Sequence, residues 1–260
     1  MNTRAIWKGT IEISEIFVPV KLYSAVEDRT IHFRLLHEKD KTPVRQVMVD
    51  PEKNRVVPKN EIKRGYITER GDVVILDEEE LESLEPDSSR NITLIHFFPV
   101  GLIDPRWYVR PYFLGPDQDQ ESYFSLIKAL NESKKEGLVR WVMRHKEYNG
   151  VLRMYHEFPV LITLRYTEEM ISLKDLKPPS SPGLSKKELF MADKFIDMLA
   201  DTFDPSQYHD QFRERVKDLI QAKTRGETIK VKKYKQKESM ENLEEALKES
   251  LKAAGERKSA

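Results

Sequence analysis

The sequence predicts a mixed β and α fold: a β-barrel core followed by a small helical C-terminal region. Three observations carry this. Short runs rich in β-branched and aromatic residues recur through the first two-thirds, with turn residues between them. The run Pro178-Pro179-Ser180-Ser181-Pro182-Gly183 can continue neither a helix nor a strand. Beyond it, apolar residues recur only at helical spacing.

In chain order, residues 6–13 and 16–23 read as two strands with Ser14-Glu15 as the turn. Residues 31–36 and 44–49 read as further strands across a polar stretch at 38–43. Arg70-Gly71-Asp72 is a turn signal, and Val73-Val74-Ile75-Leu76 reads as a buried strand. Asp77 with Glu80 forms a capping box for a short helix. Residues 92–100 and 108–114 are strand-like, Tyr123, Ile127 and Leu130 mark a helix ending before Gly137, and strands follow at 138–144, 151–155 and 160–166. After the linker, Ser185 and Glu188 box a helix with Leu189, Ala192, Ile196 and Leu199 on one face. Asp204-Pro205 opens a second, striped by Tyr208, Phe212, Val216 and Leu219, with Gly226 as its stop. A last amphipathic segment carries Leu243, Leu247 and Leu251. The expected organisation is thus a barrel at 1–173, a linker at 174–183, helices at 184–226 and a basic tail at 227–260.

Of the 260 residues 39% are hydrophobic and 34% charged, enough for a core under a highly charged surface. With no cysteine, disulfides and thiolate metal sites are excluded, and the six histidines show no metal-ligand spacing, so no cofactor or metal is expected. No window approaches the roughly 18 apolar residues of a membrane span, and residues 1–8 lack a signal-peptide core. A cytoplasmic protein is expected. The formal net charge is +0, but it is segregated. Residues 39–64 hold eight Lys/Arg against four acids, 134–153 six against two, and 223–237 seven against Glu227 alone. Residues 77–87 hold seven acids and no base.

Several blocks resemble the bacterial Ku proteins of non-homologous end joining, collinearly from Arg4 to about Gly226. They are Arg4-Ala5-Ile6-Trp7-Lys8-Gly9 with Val18-Pro19-Val20-Lys21-Leu22-Tyr23, Lys63-Arg64-Gly65-Tyr66, Ile103-Asp104-Pro105-Arg106-Trp107-Tyr108, and Phe203-Asp204-Pro205 with Tyr208-His209-Asp210. The resemblance implies a Ku-type barrel, an arm that closes a ring with a second copy around duplex DNA ends, and recruitment of an ATP-dependent DNA ligase of the ligase D type. Two departures stand out. Where many relatives carry Cys-x-x-Cys-Gly, this chain has Val47-Met48-Val49-Asp50-Pro51-Glu52, and its first hairpin turns through Ile13-Ser14-Glu15-Ile16 rather than Phe-Gly-Leu-Val.

Sequence-independent DNA binding calls for Lys and Arg aimed at phosphates, without base-edge readers. The candidates are Lys41, Arg45, Arg55, Lys59, Lys63 and Arg64 in the expected arm, Arg144 and Lys146 at a strand end, and Lys230, Lys232, Lys233, Lys235 and Lys237 in the tail. Solvated loops, or cross-strand pairing of Arg140 and Arg144 with Glu147 or Glu157, are the competing structural readings. The acids at 77–80 suit a helix N-terminus better than a metal. Trp7, Trp107 and Trp141 read as core, and no histidine has a catalytic partner. The leading function is a non-enzymatic, homodimeric scaffold on DNA ends. The alternatives are a lyase at abasic sites, which needs a lysine of lowered pKa, and a barrel that binds proteins without DNA.

Overall fold

The computed structural model describes residues 4–87, 89–178, 183 and 185–227. Two compact units divide between Asp175 and Leu176.

The first unit begins with the hairpin β1 (Trp7–Ile13) and β2 (Ile16–Ser24), in which Ile13 faces Ile16. The two-residue turn is made by Ser14 in the left-handed region, at φ 54°. The chain then leaves as a long arm: β3 (Val49–Asp50), β4 (Arg55–Val56), β5 (Arg64–Ile67), β6 (Val73–Leu76) and α1 (Glu78–Ser83). It returns as β7 (Asn91–Pro99), β8 (Tyr108–Pro116), α2 (Gln120–Ser133), β9 (Lys135–Met143), β10 (Lys146–Tyr155) and β11 (Phe158–Leu164).

Seven strands close a barrel in the order β1-β2-β8-β11-β10-β9-β7. The closing pair, β1 with β7, is parallel and the others are antiparallel. Closure leaves the barrel no sheet edge. Alternate residues point inward: Val18, Val20 and Leu22, Val139, Trp141 and Met143, and Leu152 and Leu161 form one buried cluster. Trp141 stacks on Tyr148 at 5.4 Å, and its ring lies over Gly150, where an added Cβ would meet the indole at 2.6 Å. Helix α2, capped where Asp119 accepts from Ser122 N, adds Tyr123 and Leu130 to that cluster. The Tyr123 hydroxyl donates to Leu114 O at 2.6 Å, so the phenol enters the core with its polar atom satisfied.

On the opposite face of β9 from Val139, Glu136 is wholly buried, with Arg153 Nε 3.2 Å from its carboxylate. Its oxygens accept no hydrogen bond, so Arg153 compensates the charge without hydrogen-bond geometry.

The arm corrects two expectations. No strand forms over 31–36 or most of 44–49, where only a bridge joins Leu36 to Pro43 before β3. Asp40 instead accepts from Thr42 N, Thr42 Oγ1 and His37 Nδ1, turning the chain with side-chain bonds that compete with a ladder. The stretch Val73 to Leu76 does pair as a strand, against Arg64 to Ile67, but it is exposed rather than buried. Trp7 and Trp107 are half-buried, and only Trp141 is fully inside.

The second unit contains α3 (Lys186–Leu199) and α4 (Gln211–Thr224). The expected box starts α3: Glu188 N donates to Ser185 Oγ, and Ser185 N donates to Glu188 Oε2. Its inward face is one residue out of step with the expected stripe. Met191, Phe195 and Met198 turn inward, while Leu189, Ile196 and Leu199 are exposed. A one-residue shift is a rotation of about 100°, and α3 carries apolar residues along both stripes. Asp204-Pro205 opens only a single 3-10 turn, and α4 starts later, where Asp210 accepts from Arg213 N. Tyr208 and Phe212 therefore lie outside, and Phe203 stacks on Tyr208 at 5.5 Å.

Candidate nucleic-acid interface

The arm sets this interface apart from the barrel. Among its described residues from 26 to 90, none is buried. Phe33, Met48, Ile67, Val73 and Ile75 are each more than 60% exposed.

Between the two small sheets of the arm lies a concave surface of about 800 Å³. It gathers Arg45, Lys59, Lys63 and Arg64, four of the six arm candidates, over an apolar floor that includes Val47, Met48 and Ile62. The β5–β6 hairpin places Arg64 opposite Leu76, and its turn closes through Gly71 at φ 89°, which a side chain adopts only under strain. Pro58 enters the 3-10 turn at Lys59–Glu61, which sets Lys59 and Asn60 on the rim.

The cations are not equivalent. Lys63 Nζ lies 2.6 Å from Asp77, whose hydrogen bond raises the ammonium pKa, so Lys63 is charged and already paired. Arg55 is 3.7 Å from Glu61 and does not line the concavity. Lys41, at φ 60°, donates to Glu38 O and stands apart from the other four. Arg45, Lys59 and Arg64 have no acidic partner among the described residues, and they remain available for an anion. Gln46 and Asn60 line the same surface. A charge count could not have found these neutral donors, and only the fold brings them there.

Part of the acidic stretch is engaged by local structure, and Glu78 lines the concavity beside the cations. Asp77 N donates to Glu80 Oε2 at the start of α1, Asp77 holds Lys63, and Glu85 reaches His145 Nδ1 at 2.7 Å.

The β9–β10 turn carries Arg144 and His145 in the left-handed region, at φ 54° and 62°. Arg144 has no acidic partner among the described residues, and Lys146 sits over the Tyr148 ring at 5.6 Å. The cross-strand reading holds for Arg140, whose Nε is 3.9 Å from Glu147 across the β9–β10 pair. The tail candidates Lys230, Lys232, Lys233, Lys235 and Lys237, with the segment bearing Leu243, Leu247 and Leu251, lie outside the described residues.

Among the described residues two lysines have displaced pKa values, Lys21 and Lys63, and both move up beside carboxylates, opposite to what Schiff-base chemistry uses. Among the described residues there is no cluster of three His, Cys, Asp or Glu able to hold a metal, and no helix is long and apolar enough to cross a membrane.

Comparison with known proteins gives one consistent result. The profile of the Ku70/Ku80 beta-barrel domain matches residues 12–191. The non-homologous end joining protein Ku 2 of Geotalea uraniireducens is 37% identical over 249 residues, covering 95% of this chain and 97% of its own. The non-homologous end joining protein Ku of Heliobacterium modesticaldum is 36% identical, over 88% of this chain and 84% of its own. That of Solibacter usitatus is 30% identical, over 96% and 93%.

Proposed function

The chain belongs to the bacterial Ku family, and from that membership and its arm we propose that it binds ends of double-stranded DNA as a ring-shaped homodimer. In that role it protects and bridges ends in the repair of double-strand breaks, without sequence preference and without catalysis of its own. The observation that carries the reading is an arm whose described residues are none of them buried, rich in exposed apolar side chains and bearing cations with no ion-pair partner among the described residues over a concave surface. An apolar surface that large is stabilised by association, and a second copy of the chain supplies the complement. Arg45, Lys59 and Arg64 then meet phosphate, with Lys41, Lys63, Arg55 and the turn residues Arg144 and Lys146 as secondary contacts. The tail lysines Lys230, Lys232, Lys233, Lys235 and Lys237 add sequence-independent attraction. Recruitment of an ATP-dependent DNA ligase falls to the helical unit, whose outward stripe of Leu189, Ile196 and Leu199 has no partner of its own in α3 and α4.

The test is the salt dependence of binding to a blunt duplex. With about six to eight phosphates neutralised per dimer, log K falls with log salt at a slope of roughly −5 to −7. Joint charge reversal of Lys41, Arg45, Lys63 and Arg64 flattens that slope, equally on duplexes of unrelated sequence. Losses that depend on the duplex sequence mean base readout and contradict the proposal.

A further inference from the structure

The second ribbon of the arm has an edge with none of the usual protection. Among the described residues β6 pairs with β5 alone, in a two-stranded sheet. Its residues Val73, Val74, Ile75 and Leu76 include no charge, no proline and no glycine. Val73 is 67% exposed and Ile75 62%. Sheets guard a free edge with lysine, proline or a bulge, because an open row of N–H and C=O groups templates another strand. The opposite edge of the ribbon is guarded in this way. Strand β5 follows Lys63, opens on Arg64, and holds Gly65, which weakens a strand.

The bonds of the hairpin fix which groups face the β6 edge. Thr68 N donates to Asp72 O at 2.9 Å where the turn closes. Bonded and non-bonded pairs alternate in an antiparallel ladder, so Ile67 with Val73 and Gly65 with Ile75 are non-bonded pairs, and Tyr66 with Val74 is a bonded one. Val74 therefore turns its N–H and C=O to β5, while Val73 and Ile75 turn theirs outward. The open row stops at both ends. Asp77 N is already given to Glu80 Oε2, and Gly71 N to Thr68 O. The free donors and acceptors are those of Val73 and Ile75, placed symmetrically about Val74.

An edge symmetrical about one residue is complementary to itself under a two-fold rotation. We infer that β6 pairs antiparallel with β6 of a second copy, about a two-fold axis through Val74. Val73 of each copy then faces Ile75 of the other and exchanges both N–H···O bonds with it. This rests on the homodimer of the proposed function and names the contact that joins its arms. A shift of one residue fails, since it sets outward groups against Val74, whose groups turn to β5. A shift of two residues loses bonds, because Asp77 and Gly71 have already committed their N–H groups. The pairing turns two ribbons, each marginal in water alone, into one four-stranded sheet. Rotation about an axis normal to that sheet keeps each face on its own side. Arg64, opposite Leu76, lines the concavity with it, so the basic concavities of the two copies lie on one side of the joint sheet.

The chain has no cysteine, so one engineered thiol reports one contact. Val74→Cys in the full chain sets two thiols across a non-bonded pair, where Cα atoms lie about 4.5 Å apart, inside the range that a disulfide spans. Ile67→Cys, at an exposed position of the same hairpin, is the control. Its two copies lie three strand spacings apart, roughly 14 Å or more. The unmodified chain is first weighed by sedimentation velocity without DNA. Both variants are then oxidised with copper phenanthroline and run on a non-reducing denaturing gel. Val74→Cys gives roughly tenfold more covalent dimer than Ile67→Cys. Ile75→Pro deletes an outward N–H and no bond of the hairpin, and so removes one of the two bonds at each pair. It weakens dimerisation roughly thirtyfold, with barrel unfolding in urea unchanged. If the unmodified chain is a dimer and Val74→Cys crosslinks no better than Ile67→Cys, the β6 pairing is overturned and the homodimer stands on another surface. If the unmodified chain sediments as a monomer, the homodimer itself falls, and the pairing with it.

Discussion

The barrel and the arm are built from the same residue types and put them to opposite use. In the barrel, Val20, Leu22, Val139 and Leu161 are essentially inaccessible, and its buried carboxylate has Arg153 beside it. In the arm, Val73, Ile75, Ile67 and Met48 are exposed, and Arg45, Lys59 and Arg64 form no ion pair among the described residues, with Glu78 as the one acid lining their surface. A closed sheet satisfies its own backbone and hides its own side chains. A pair of two-stranded ribbons does neither and is marginal in water alone. The difference teaches that the barrel is a self-sufficient fold, whereas the arm leaves its apolar side chains uncovered, which on the proposed reading a second copy covers.

That contrast can be broken by ranking substitutions on how far they lower the unfolding free energy of the barrel. Trp141→Ala leaves the largest hole in the core and costs about 3–5 kcal/mol, read by urea denaturation. A loss below about 1 kcal/mol would mean that the barrel is not closed around that ring.

Arg153→Met comes next, at about 3 kcal/mol near neutral pH, because it strands a buried carboxylate. Its pH dependence has a definite sign. Burial raises the pKa of Glu136 above the ordinary carboxylate value, and Arg153 opposes this. The folded state therefore holds that proton more tightly than the unfolded state. This contribution to stability is fully present below the unfolded pKa of about 4.3 and is lost as pH rises through the raised value. Removing Arg153 raises that pKa further, so the penalty is smaller at pH 5 than at pH 8. Melts showing the same penalty at both pH values would contradict the assigned charge state.

The arm variant Ile67→Ser with Ile75→Ser changes barrel unfolding by no more than about 0.5 kcal/mol. It converts the dimer to monomer in sedimentation velocity. A barrel destabilised as strongly as by Trp141→Ala would erase the distinction between the two regions.

Truncation after Gly226 has the smallest effect on the barrel, with none expected on unfolding or on dimerisation. It weakens duplex binding through the loss of Lys230, Lys232, Lys233, Lys235 and Lys237. A monomeric truncation product in light scattering would move the dimer interface out of the arm.

How much of this was legible in the sequence divides along the same line. The barrel strands were readable because two-residue alternation is written wherever one face is buried, as in Val18, Val20 and Leu22. The arm departs from the expected strands at 31–36 and 44–49 because Phe33 and Leu35 look like strand core, and sequence does not say that they stay exposed in the folded chain. In α3 the inward stripe was missed because Leu189, Ile196 and Leu199 form as good a helical pattern as Met191, Phe195 and Met198. Periodicity cannot choose between two apolar faces. The basic residues of the arm were visible as a charge excess, but their inequality was not. The Lys63–Asp77 bond depends on the β5–β6 pairing, and the joint lining by Arg45, Lys59 and Arg64 depends on how the arm folds back on itself.

A ring closed by two arms must be threaded onto duplex DNA from an end. Competition between a labelled linear duplex and unlabelled covalently closed circles of the same sequence measures this, with unlabelled linear DNA as the reference competitor. Circles are expected to displace the labelled duplex far less well than linear DNA at equal concentration of base pairs, and one cut per circle restores full competition. Intact circles that compete mole for mole with linear DNA would show that the arms do not close a ring.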